Sequence, residues 1–226
     1  MHRTNAEGRE DLCDACHLMY ERGLAHAAGG NASIRIDDEI LITPTGIGLD
    51  RVQPDDLVHV GIGGQVLGSR QPSKELDLHL ELYRTRPAAH GVLHPHPPHA
   101  IAWSARYPEP RLDAIPATNA GFYIRAGQIP QLPYLRSGSQ QLRAAVARLA
   151  GDFSTILLGN HGLICAGATL LGTLEICEEI EQNCRILLLA GEGARVLSPA
   201  ERAELDEARG RVWPGPADYA DFFAAL

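Results

Sequence analysis

The stretch from Ala89 to His99, AHGVLHPHPPH, constrains this chain more than any other. A short apolar run, Gly91-Val92-Leu93, leads straight into His94-Pro95-His96, and further prolines stand at 97 and 98. Proline has no N–H to give to a ladder, so a strand arriving here has to stop. In extended backbone alternate side chains share a face, so His94 and His96 point the same way. Two imidazoles side by side at a strand end, where sheets open onto clefts, are half of a metal site, because Zn2+ and its neighbours accept neutral histidine nitrogen. Taken alone, the pair also reads as two ordinary strand-end histidines, since H-x-H is short and recurs by chance.

The chain around this stretch has 226 residues, enough for one domain with a substantial core, and is read as a single domain over 1–226 with a tail from about 198. Its formal charge of −8 argues against a nucleic-acid-binding face. No apolar run reaches the roughly 18 residues of a membrane helix, and the N-terminus lacks a secretory pattern, so a cytoplasmic protein with no membrane partner is expected. Five cysteines, an odd number, fit reduced thiols better than a disulfide framework. Cys13-Asp14-Ala15-Cys16 is formally a C-x-x-C, but Leu12, Cys16 and Met19 share a helical face there, which makes these sulfurs core thiols.

Periodicity and turn chemistry order the rest. Residues 7–26 carry a helical apolar repeat that Gly29-Gly30-Asn31 closes. Residues 33–36 and 39–43 are two strand-like runs joined at Asp37-Asp38, and 57–62 and 65–67 form a second hairpin around Gly63-Gly64. Early hairpins argue against a purely parallel sheet. Pro72-Ser73-Lys74-Glu75 opens a helix to about Arg86, with Ser73 as its cap and Glu75 and Asp77 on its dipole. A short helix is expected over 98–105, short strands near 114–117 and 129–133, and a helix from Ser137 or Ser139 to Ala150. Two apolar strands flank Gly159-Asn160-His161-Gly162, and a long helix covers 170–190. Ser198-Pro199-Ala200-Glu201 is a capping box for a last helix. The aromatic tail (Trp213, Tyr219, Phe222, Phe223) either closes over a site or seals a subunit contact, with the contact preferred.

His161 lies in a glycine-flanked turn where packing gives little reason for a histidine. With His94 and His96 it supplies three nitrogen ligands, the number a catalytic zinc site uses while keeping a position open. Glu75 is the carboxylate that completes the set as ligand, general base or both, although the first turn of a helix also favours glutamate on dipole grounds alone. Two clusters suit an anion: Gly30-Asn31 with Thr45-Gly46, and Ser73-Lys74 at a helix N-terminus.

G-G-N-A-S (29–33), I-T-P-T-G (42–46), P-S-K-E (72–75), H-P-H (94–96) and G-N-H-G-L (159–163), in this order and spacing, resemble the signature series of the class II aldolase/adducin family. The resemblance implies an α/β fold, a three-layer αβα sandwich around a mainly antiparallel central sheet, assembled as a homotetramer with active sites between subunits. It implies one divalent metal ion per subunit on His94, His96 and His161, with Zn2+ expected and Mn2+, Co2+ or Fe2+ as alternatives. Glu75 would be the acid/base, and Asn31, Thr45, Gly46 and Ser73 would hold the phosphate of a small-molecule substrate.

Departures from the family narrow the reaction. The epimerase branch carries aspartate at the Glu75 position and an acid where this chain has Thr118-Asn119-Ala120-Gly121, which argues against epimerisation. The fuculose-type aldolases carry Ser-Ser-Glu where Ser73-Lys74-Glu75 stands, and a tyrosine proton donor near Ala120, for which Tyr123 is the stand-in. Lys74, expected to hold a substrate carboxylate or phosphate, and the Phe122-Tyr123 and Leu132-Pro133-Tyr134 segments look more like the branch that decarboxylates 3-oxo-tetronate 4-phosphates. The expectation is therefore a metal-dependent carbon–carbon lyase leaving an enediolate, leaning to loss of CO2. The alternatives are retro-aldol cleavage of a ketose 1-phosphate, decarboxylation of an aromatic acid, a redox or oxygen-using metal enzyme, or a non-catalytic adducin-like module.

Overall fold

The computed structural model of the chain describes residues 5–226. Seven strands form one sheet: β1 (Asn31–Ile36), β2 (Glu39–Ile42), β3 (Val58–Gly61), β4 (Gly91–His94), β5 (Gln131–Leu132), β6 (Thr155–Leu158) and β7 (Gly162–Gly167). They lie side by side as β3-β2-β1-β4-β7-β6-β5, and every pairing is antiparallel except β5 on β6. The strand that ends in the first histidine is thus the middle of the sheet.

The period-2 alternation of strands divides the apolar side chains between two cores. Ala32, Ile34, Leu41, Leu93, Leu157, Leu163 and Cys165 face one side, where they meet α1 (Asn5–Glu21), α3 (Pro98–Arg106), α4 (Ala120–Ala126) and α6 (Leu170–Ala190). Ile40, Ile42, Val60, Val92, Ile156, Leu158 and Ile164 face the other, against α2 (Leu76–Thr85) and α5 (Gln140–Ala150). The result is the expected αβα sandwich around a mainly antiparallel sheet. All five cysteines are free and buried, and burial pushes the Cys13 thiol up to about 11, consistent with core thiols. Among the described residues no helix is long and apolar enough to cross a membrane.

Several boundaries differ from the sequence reading. α1 stops at Glu21 rather than 26 because Gly23 takes a left-handed turn (φ 71°) and the Leu24 N–H closes back on the Met19 carbonyl at 2.9 Å. The 65–67 run makes a single bridge, Val60 to Val66, rather than a strand. Residues 114–117 form no strand, and the unexpected helix α4 follows them, capped by the Asn119 side chain on the Phe122 N–H. Ser73 does not cap α2: Glu75 holds the N-cap position without a side-chain cap bond, and the Ser73 hydroxyl accepts the Glu75 N–H at 3.3 Å. The cap carboxylate is thereby left free for other partners.

The helix expected after Ser198, α7 (Pro199–Arg209), carries both bonds of its capping box, and a short helix α8 (Ala220–Ala224) follows it in the tail. Beyond α7 the chain folds back within the same molecule. Trp213 stacks on Phe153, and Tyr219, 1% exposed, lies under Arg148 of α5 with its hydroxyl given to Asp152. The aromatic tail therefore covers the α5 side of its own core, with Phe222 and Phe223 partly buried against it.

Candidate metal centre

Register builds the site. Asn31 of β1 sits opposite His94 of β4, so both point to the α2 side of the sheet, as does Ser33 two residues on. Beyond β4 the prolines turn the chain, and the His96 N–H is taken by the Leu24 carbonyl at 2.8 Å. His96 fits between two glycines: a Cβ on Gly29 would lie 2.8 Å from its Nδ1, and one on Gly162 would lie 2.9 Å from its Cδ2 and 2.4 Å from the Pro95 carbonyl. His161 comes from the β6–β7 turn, where Asn160 takes a left-handed conformation (φ 53°) and gives its N–H to Ser104 of α3 at 3.0 Å. Glu75 arrives from the head of α2.

These segments bring Glu75, His94, His96 and His161 together, with one ligand atom from each lying within 4.8 Å of all the others. His94 Nε2 is 3.1 Å from His96 Nε2 and 3.3 Å from His161 Nε2. Glu75 Oε2 is 2.9 Å from His94 Nε2, and Oε1 is 3.3 Å from His161 Nε2. Tetrahedral zinc with bonds of about 2.0–2.1 Å separates its ligands by roughly 3.3 Å. His94 gives its Nδ1–H to the Leu163 carbonyl at 2.5 Å, which leaves Nε2 facing the cluster, the arrangement that orients a metal-bound imidazole. Donor type, spacing and tautomer all fit a divalent cation.

The electrostatics favour a cation at Glu75 and set a proton in competition with it at His94. Burial opposes a charge on Glu75, but His94 and His161 outweigh it and hold the carboxyl well below the usual carboxylate range. For His94, burial favours the neutral ring, yet Glu75 and the Leu163 carbonyl raise its pKa. His96, buried beside the other two rings, is pushed down to about 3. An ionised carboxylate among imidazoles is a ready cation site.

Two further donors hold Glu75. Asn31 Nδ2 donates to Oε2 at 3.0 Å, and Ser137, from the loop before α5, donates to Oε1 at 2.8 Å. Behind Asn31 lie His79, Ser33 and Tyr83, all buried, and burial pushes His79 down to about 3. Sequence reasoning missed Ser33, His79 and Ser137 as site residues. For His79 the signal was available: on a helix, residues 75, 79 and 83 share one face. Ser137 carries no such signal, because its approach depends on how a loop folds over α2.

The anion set divides. Thr45 and Gly46 are exposed on a loop tied to the Ser73 segment by the Ser73 N–H on the Thr43 carbonyl (3.0 Å) and the Thr45 N–H on the Gln71 carbonyl (3.3 Å). Asn31 instead lies under Glu75, 5% exposed, with its amide used on both sides. Lys74 is exposed and shares a cleft with Glu75, Ser139 and Arg143. Tyr123 is 2% exposed and gives its hydroxyl to Asp206 of α7 at 2.7 Å, so it is not presented to the histidine cluster of its own chain.

Residues 10–188 match the family described as Class II Aldolase and Adducin N-terminal domain. The chain is 32% identical over 204 residues to a 3-oxo-tetronate 4-phosphate decarboxylase of Pectobacterium atrosepticum, covering 89% of this chain and 94% of that protein. It is 34% identical over 179 residues to an L-fuculose phosphate aldolase of Haemophilus influenzae, covering 79% and 81%. Among solved structures, YgbL of Escherichia coli superposes with a TM-score of 0.85 at 30% identity, over 90% of this chain and 99% of that one. An L-fuculose 1-phosphate aldolase superposes with a TM-score of 0.81 at 27% identity, over 93% and 99%.

Proposed function

The chain belongs to the class II aldolase and adducin family, and from that premise we propose that it is a divalent-metal-dependent carbon–carbon lyase that decarboxylates a 3-oxo acid phosphate. The observation that carries this reading is the convergence of His94, His96 and His161 on one point with the Glu75 carboxylate beside it. A non-catalytic module has no use for a buried carboxylate held by so many donors. The lean toward decarboxylation rests on the decarboxylases at 32% identity and on Lys74 beside Glu75.

His94, His96 and His161 would hold the cation through their Nε2 atoms. Bound there, it supplies positive charge that polarises a carbonyl and stabilises the negative charge left by carbon–carbon cleavage. Thr45 and Ser73 would offer hydroxyls and Gly46 a backbone N–H to a phosphate, and Lys74 a full charge to the phosphate or the departing carboxylate. Decarboxylation leaves the electron pair of the broken bond on the substrate, and that carbon must then receive a proton. That proton comes from water, and Glu75, ionised at rest, would relay it as the acid/base, while Asn31 serves by holding Glu75 rather than by binding phosphate. Tyr123, committed to Asp206, stands outside the catalytic set.

Zinc as the resident ion fits three imidazoles at these separations, and the resemblance supports a cytoplasmic homotetramer of carbohydrate metabolism with sites between subunits. Retro-aldol cleavage of a ketose 1-phosphate is the second reading, favoured by the 34% identity to the Haemophilus aldolase. Zinc- or manganese-loaded protein incubated with 3-oxo-tetronate 4-phosphate and with L-fuculose 1-phosphate, scored by mass spectrometry for CO2 and aldehyde separately, tests both. CO2 release from the first is expected, reduced about 100-fold or more in Glu75→Gln. Aldehyde release alone favours the second reading, and failure to take up any divalent metal overturns both.

A further inference from the structure

Behind Glu75 runs a buried line of polar side chains that the reaction itself does not use. Glu75, His79 and Tyr83 descend one face of α2, and Asn31 and Ser33 of β1 interleave with them. Their contacts have a direction. Tyr83 gives its hydroxyl proton to the Ser33 carbonyl at 2.9 Å. Ser33 Oγ lies 2.7 Å from His79 Nδ1, and His79 Nε2 lies 2.6 Å from Asn31 Oδ1. Asn31 Nδ2 donates to Glu75 Oε2 at 3.0 Å.

The sequence of donors follows from chemistry. An ionised carboxylate only accepts, so Asn31 must turn its NH2 to Glu75 and its Oδ1 to His79. Oδ1 then needs a donor, so the proton of His79 is on Nε2, and Nδ1 accepts the Ser33 hydroxyl. Ser33 and His79 are 0% exposed, which leaves no solvent to replace a missing partner.

We propose that His79 is a positioning residue: it pins the Asn31 amide so that Glu75 always meets a donor at Oε2 and keeps one orientation toward the histidine cluster. Without the Nε2–H, Asn31 Oδ1 is stranded and the amide is free to swing, taking the carboxylate with it. The Ser33 hydroxyl at Nδ1 holds the ring in its tautomer. This rests on the reading of Glu75 as the acid/base.

Two substitutions separate positioning from bulk. His79→Gln keeps a side-chain N–H within reach of Asn31 Oδ1, and His79→Phe fills the space without one. For the Phe variant kcat is expected to fall about 10- to 100-fold, with KM and zinc content unchanged, and Gln is expected to recover most of the loss. Equal loss in both variants, or a lower melting temperature with kcat intact, overturns the proposal. A substrate-free readout keeps it distinct from the lyase reading. In the metal-free wild type, 15N NMR is expected to show His79 protonated at Nε2, and the Asn31 side-chain amide signals are expected to move in His79→Phe and return toward wild type in His79→Gln. A proton found on Nδ1 overturns the positioning role even in an active enzyme. The expected spectra from a protein inactive on every substrate tried would sustain the pinning of Asn31 by His79 while the lyase reading failed.

Discussion

At the residue scale, His96 occupies a space that depends on the absence of two side chains. It lies beyond the end of β4, and two glycines from distant motifs make the space it occupies. At Gly162 the hypothetical Cβ meets the Pro95 carbonyl at 2.4 Å, which is backbone and cannot swing aside, and His96 Cδ2 at 2.9 Å. Relief has to come from moving His96 or the start of β7, and β7 carries the Leu163 carbonyl that orients His94. Gly162→Ala is therefore expected to weaken metal binding about 10- to 100-fold, the usual cost of disturbing the groups that orient metal ligands. Chelator competition on the purified variant measures this, and wild-type affinity would show that the close approach of Gly162 does not govern His96. The same geometry explains why glycine flanks the motif histidine: the requirement here is for room rather than for a left-handed turn.

At the scale of elements, what could be read from sequence tracked how locally each element is determined. The 170–190 helix was legible with its buried face, Leu174, Cys177, Ile180, Cys184 and Leu187, because that periodicity lies within one segment. The hairpin at Asp37-Asp38 and the capping box of α7 were legible for the same reason. α4 was not: it is short, its sequence Ala120-Gly121-Phe122-Tyr123 lacks a clear repeat, and its packing against α6 and α7 comes from distant chain. The candidate metal ligands were legible through their motifs and resemblance, whereas Ser137 depended on a loop path that local sequence does not specify. α4 also decides what Tyr123 does. Its hydroxyl and the Trp213 indole N–H, at 3.0 Å, both go to Asp206, which ties α4, α7 and the tail together. Tyr123→Phe leaves Asp206 short of a buried donor and is expected to lower stability by about 1–3 kcal/mol. The expected kcat is unchanged, since the lost atom lies outside the proposed catalytic set. Denaturant unfolding beside steady-state kinetics checks this, and a large fall in kcat at unchanged stability would return Tyr123 to that set.

For the molecule as a whole, a cation at the candidate site would also be a fastening. The site's four residues come from the head of α2, the end of β4, the segment beyond it and the β6–β7 turn. β4 is the central strand, with β1 on one side and β7 on the other, so a cation held there joins both halves of the sheet to the α2 layer. The unfolded chain does not hold these four side chains in that arrangement, and binding free energy gained only by the native state adds directly to its stability. At free metal about 100 times the dissociation constant the gain is about 2.7 kcal/mol, and for a chain of this size each kcal/mol raises the melting temperature by about 2–4 °C. Adding zinc to metal-free protein is therefore expected to raise the midpoint by about 5–11 °C, and a chelator to reverse it. His161→Ala removes the ligand from the β6–β7 turn and is expected to abolish most of the rise while leaving the metal-free midpoint close to wild type, since that ring is partly exposed and outside the two cores. A zinc-dependent rise of equal size in His161→Ala would mean that the ion binds elsewhere, and the convergence of the three histidines would then have no part in holding the molecule together.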